Sequence, residues 1–155
     1  MPKRRPAAPL ATGFTLVELM IAIAIIAMLS ALAWPTLQAA VHRSRRADAM
    51  SSLAAIQQAQ ERWRANNPEY QSSLSSLPGA QASVSPDRHY DLSLVDDGLE
   101  RRIAYTARAT VRSSSPQSND SRCQWLQVAV NGGNIVYSSG GGGGANAAPD
   151  PCWAR

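Results

Sequence analysis

Gly13-Phe14-Thr15-Leu16-Val17-Glu18-Leu19 stands between a basic leader and a long apolar run, and its reading decides the fold. Lys3, Arg4 and Arg5 precede it, and residues 19–34 carry no charge. A helix needs roughly 20 apolar residues to cross a bilayer, so residues 14–34 are long enough. Their one carboxylate, Glu18, lies four residues from the start of the run. An ionisable side chain inside a membrane segment costs about 3 kcal/mol even on lenient scales, which marks it as functional by default.

Two plainer readings compete. An ordinary secretory signal peptide would use Ala31-Leu32-Ala33 as its small-residue cleavage site. Its apolar core would then be interrupted by Glu18 and exceed the usual length of about 7–15 residues. The second reading takes Thr15-x-x-Glu18 as a capping box, in which each residue satisfies an orphan N–H group at a helix start. That geometry is compatible with a further role for the carboxylate.

Gly13 followed by Phe14-Thr15-Leu16-Val17-Glu18-Leu19, with Pro35 just past the apolar run, resembles the type III signal sequence of type IV pilins and pseudopilins. The stretch Arg43-Ser44-Arg45-Arg46-Ala47-Asp48-Ala49, with Tyr105-Thr106-Ala107 and Cys152-Trp153 further on, resembles PilE-type minor pilins. The resemblance implies that a prepilin peptidase cuts between Gly13 and Phe14 and methylates the new amine, removing residues 1–13. It also implies that Glu18 pairs with the terminal amine of a neighbouring subunit during assembly. Phe14 and Glu18, four apart, share one helix face. The new amine and the positive end of the helix dipole therefore both lie near the carboxylate. A lone buried polar contact that sets register is the best-attested use of such groups.

Composition agrees with an anchored, exported chain. The 155 residues suffice for one small domain and an anchor. Of 15 lysines and arginines, three are Lys3, Arg4 and Arg5; without them 12 remain against 11 acids, so the net charge of +4 is largely a leader effect. Basic residues stay on the cytoplasmic side, which sends the rest of the chain outward.

Pro35 removes a helical donor and disturbs the turn before it, as membrane helices tolerate. Residues 35–66 then continue the helix as a domain spine, rich in good helix formers. Ala47, Met50 and Ala54 form one apolar stripe and Leu53, Ile56 and Trp63 another. Asn66-Asn67-Pro68 ends it. Period-two alternation marks strands at 90–94, 103–111 and 126–130, with Ile135-Val136-Tyr137 as a fourth. Asp96-Asp97-Gly98 and Asn131-Gly132-Gly133-Asn134 are turns. Gly140 to Gly144 reads as a flexible run without fixed geometry. The expected fold is α+β: a long N-terminal helix on an antiparallel sheet of about four strands, with residues 67–155 as the exported β domain.

Cys123 and Cys152 are the only cysteines, at a spacing that fits no zinc or redox motif. In an exported chain they form a disulfide more simply than two free thiols. Many type IV pilins likewise bound their C-terminal region with one.

No nucleophile–base pair or phosphate-cradling glycine motif is present, so no enzyme activity and no cofactor are expected. Asp87, Asp91, Asp96, Asp97 and Glu100 match no calcium loop. The expected role is structural: a minor pilin held in the inner membrane by one span, its domain periplasmic, then built into or onto the tip of a pilus filament at the cell surface. It would support pilus biogenesis, adhesion or twitching motility. Its partners would be other pilin subunits, the prepilin peptidase, the inner-membrane assembly machinery and the membrane. Two alternatives are a type II secretion pseudopilin and a pilin that captures DNA for uptake through Arg101, Arg102, Arg108, Arg112 and Arg122. With signs interspersed along the chain, no specific nucleic acid is expected.

Overall fold

The computed structural model describes residues 13–79 and 83–153; most of the expected leader lies outside them. One helix, α1 (Leu16–Arg64), opens the chain and runs through Pro35. By internal contacts the chain forms two units, one up to Gln38 and one from Ala39 onward.

In the first unit, α1 begins on a closed capping box. The Thr15 backbone N–H and hydroxyl both donate to Glu18 Oε2, each at 3.0 Å, and the Glu18 N–H donates to Thr15 Oγ1 at 3.2 Å. Beyond Pro35, Thr36 Oγ1 donates to the Ala33 carbonyl at 2.8 Å, giving an acceptor in that turn a second donor. Every residue from Phe14 to Gln38 is exposed.

In the second unit, a five-stranded antiparallel sheet runs in chain order: β1 (Tyr90–Val95), β2 (Ala104–Val111), β3 (Trp125–Asn131), β4 (Asn134–Gly141) and β5 (Gly144–Ala145). Alternation dictates which face is buried. Tyr90 and Leu92 of β1, Tyr105, Ala107 and Ala109 of β2, and Leu126, Val128 and Val130 of β3 form the core with the helix. The β3–β4 hairpin closes on Gly132 and Gly133, both at positive φ (56° and 85°), the geometry a two-residue type I′ turn requires.

The helical contribution to this core differs from the expected stripes. Leu53 and Ile56 are fully buried and Trp63 packs partly against them, but Ala47 and Ala54 are exposed and Met50 is only half-buried. Ala49, Ser52, Ala59 and Gln60 take their place. The small residues at 49, 52 and 59 lie on the buried face of the helix. Buried Gln60 is satisfied by the Gln71 backbone, donating to its carbonyl at 2.8 Å and accepting from its N–H at 2.9 Å. Periodicity scores hydrophobicity and so passes over Ser52 and Gln60.

The glycine run is the larger correction. Gly140 and Gly141 end β4, Gly144 opens β5, and residues 142–143 turn between them. A Cβ at Gly140 would collide with the Trp125 ring and the Gly144 carbonyl; one at Gly141 would collide with the Ser121 carbonyl. Glycine here serves close approach rather than freedom. A fifth strand results where a flexible run was expected. In β4 the apolar residues are not buried either: Ile135, Val136 and Tyr137 are 44–58% exposed.

Candidate functional site

At the N-terminal motif, Gly13 and Phe14 precede the helix and Phe14 is 89% exposed. The Glu18 carboxylate turns back onto Thr15 within the chain. The apolar surface beyond it has no counterpart inside the fold: none of the membrane-length window is buried.

At the start of the second unit, the helix meets the segments that flank the strands through a polar layer. Arg46 Nε donates to Asp120 Oδ2 at 2.8 Å, an ion pair with both side chains largely buried. Gln117 Nε2 donates to the same oxygen, His42 Nδ1 lies 3.0 Å from Gln117 Oε1, and Arg46 also reaches the Pro151 carbonyl. Asp48 is buried and accepts from the Asp87 N–H at 3.4 Å. Burial and then the charge of Asp120 push the Tyr90 hydroxyl far above its ordinary pKa. Tyr105 is raised as strongly, by burial first and by Glu61 second. A layer of this kind fixes how the helix seats. It offers no nucleophile.

Cys123 and Cys152 are bonded to each other. The bond holds the tail against β4, where Trp153 Nε1 donates to the Ser138 carbonyl at 2.8 Å and the Trp153 ring packs on Tyr137 at 4.9 Å between centroids.

The arginines proposed as one basic stripe are divided. Arg101 and Arg102 precede β2 at one end of the sheet, while Arg112 follows it at the other and pairs with Asp91 at 3.1 Å. Arg108 lies between, on the sheet face opposite the core. Its guanidinium sits 4.9 Å over the Trp125 ring and donates twice to Gln127 Oε1, at 2.9 and 2.6 Å. Gly140, across from Trp125, leaves room for that ring. A planar cation held with donors to spare suits an oxyanion. Sequence reading singled out Arg108 but not its partners, because Trp125, Gln127 and Gly140 converge only through strand register. The acidic residues are likewise dispersed, and among the described residues none form a group able to hold a metal.

Comparison with known proteins accords with these features. The N-terminal segment matches the prokaryotic N-terminal methylation motif over residues 11–34, which defines the class as type IV pilin. The family described as type IV minor pilin ComP, DNA uptake sequence receptor, matches residues 35–127, more than half of the chain. The chain belongs to this family of type IV minor pilins. No curated protein matches it significantly. Membership associates it with pilus subunits and their assembly machinery, and a prepilin peptidase cleaves the methylation motif. These are families of structural proteins.

Proposed function

We propose that this minor pilin is cut after Gly13, methylated on Phe14, held in the inner membrane by residues 14–34 with its domain in the periplasm, and then moved into a pilus filament. The observation that carries this reading is the bare apolar helix: about 20 residues of hydrocarbon surface with no partner in their own fold demand lipid or neighbouring helices. In the filament, Glu18 exchanges its bonds to Thr15 for the amine of a neighbouring subunit. Intact mass of the protein from its native membrane tests the first step. A chain beginning at methylated Phe14 is expected; one beginning near Trp34 would mean an ordinary signal peptide.

A second reading adds duplex DNA as cargo. The family description names a DNA uptake sequence receptor, and Arg108 offers a guanidinium that no carboxylate neutralises among the described residues. From the sequence, DNA capture stands as an alternative on five arginines with no specific nucleic acid expected; the family description adds support to that alternative. Asp91 and Asp97 reach the same sheet face, through Arg112 and Thr106, so this positive site is narrow.

A further inference from the structure

Charge is unevenly placed over the ends of the second unit. The end holding the first helical turns from Ala39 also gathers the segments around Asp87, Asp120 and Cys123–Cys152, through the contacts of Arg46 and Asp48. Arg43, Arg45, Arg88 and Arg122 lie on these segments; none forms an ion pair among the described residues, and all but the half-buried Arg45 are exposed. The acids there are mostly occupied. Asp120 is held by Arg46, Asp91 by Arg112, Asp48 is buried, and Asp150 accepts from Ser139 Oγ and the Cys152 N–H. Asp87 alone is exposed and outside an ion pair. The opposite end carries Glu61, Glu69, Asp96, Asp97 and Glu100 against Arg62, Arg64, Arg101 and Arg102. By formal charge the first end carries six arginines against five aspartates and the second four arginines against five acids. At the surface of the first, Arg43, Arg88 and Arg122 stand against Asp87 as the one exposed acid outside an ion pair among the described residues.

We propose that the cationic end docks on the phosphates of anionic phospholipids at the outer surface of the inner membrane, seating the subunit there before assembly. The inference rests on the membrane-anchored reading above. Along α1, Arg43 follows Leu37, the last large apolar residue of the exposed run, by six residues, or about 9 Å. The headgroup layer is on the order of 5–8 Å deep on each side of the hydrocarbon. The backbones of Arg43 and Arg45, about 9 and 12 Å on, lie just past that layer, and their long side chains, tilted toward the helix N-terminus, reach back to the phosphates. Arg88 and Arg122 belong to the same end. Each arginine near an anionic surface strengthens binding about fivefold, and salt weakens it. Release from the lipid would then accompany movement into the filament.

The test places the full chain in nanodiscs of phosphatidylcholine, with or without phosphatidylglycerol, together with a lipid bearing a paramagnetic headgroup. Broadening of the backbone amides of residues 87–89 and 119–123 is expected with phosphatidylglycerol, and should be largely lost at high salt. It should also be lost in the Arg43→Gln/Arg45→Gln/Arg122→Gln variant, which removes no ion pair. Equal broadening in both lipids, or an unaffected variant, would overturn the proposal. So would displacement from phosphatidylglycerol discs by a short duplex that shifts these same amides, which would make the end a nucleic-acid surface. Failure of the chain to co-elute with either disc would overturn the anchored reading and this inference together; co-elution without lipid dependence overturns the inference alone.

Discussion

Glu18 shows how one side chain can serve two states. In the isolated chain its Oε2 accepts twice from Thr15, which satisfies orphan donors at the helix start. A carboxylate so placed is a stable cap, yet capping needs no membrane-length partner and explains no preceding glycine. Substitution separates the roles. Glu18→Ala should loosen the first turn of the helix, leave processing and the second unit intact, and sharply reduce recovery in sheared pili relative to membranes. Unchanged recovery would reduce Glu18 to a cap.

The glycine-rich hairpin makes the corresponding argument for an element. Gly141 abuts the Ser121 carbonyl, whereas Gly143 has open space around its Cβ direction. Gly141→Ala should therefore destabilise the domain by roughly 1–3 kcal/mol through overpacking, and Gly143→Ala should be nearly neutral, in urea unfolding of the two variants. Equal effects would mean that the run behaves as the flexible linker its composition suggests. The disulfide acts on the same element from outside. It closes a separation of 29 residues, worth roughly 3–4 kcal/mol by chain entropy, with β3, β4 and β5 inside the loop.

For the whole molecule, two buried tyrosines set an alkaline limit. The hydroxyls of Tyr90 and Tyr105 are raised above the ordinary value of 10.0, so the folded state keeps protons that the unfolded state releases. Their contribution is complete below pH 10 and declines as pH rises above it, by up to about 2.7 kcal/mol per pH unit when both respond. Thermal unfolding should lose stability from pH 10 upward, and the Tyr90→Phe/Tyr105→Phe variant should flatten that loss; a profile identical in both would refute the assignment. DNA capture is a whole-molecule property too, since it depends on net surface charge. From Thr36 onward there are 12 arginines against 10 acids, which supports only weak duplex binding, lost near physiological salt. In a salt titration of the full chain, Arg108→Gln should weaken binding and lower the salt slope by about one. An unchanged slope would remove Arg108 from the site, and tight binding at physiological salt would make DNA the principal partner.

The sequence by itself determined the class of this protein, because its decisive features are local. A glycine–phenylalanine junction, one carboxylate and an apolar run are read in chain order, and period-two alternation marks β1 to β3 without knowledge of their neighbours. The tertiary structure alone decided what depends on register and close approach. Gly140 and Gly141 are ordered by Trp125 and Ser121, residues 15 and 20 positions away, and composition cannot see that contact. The helix buries Ser52 and Gln60 in place of Ala47 and Ala54, since small volume and a backbone partner at Gln71 outweigh hydrophobicity at those sites. The arginines of the imagined stripe form no single patch: Arg101 and Arg102 lie at one end of the sheet, Arg112 at the other and Arg108 between them, because eight residues of extended strand separate Arg102 from Arg112. Local chemistry named the protein's class; only the packing of distant segments places its charges.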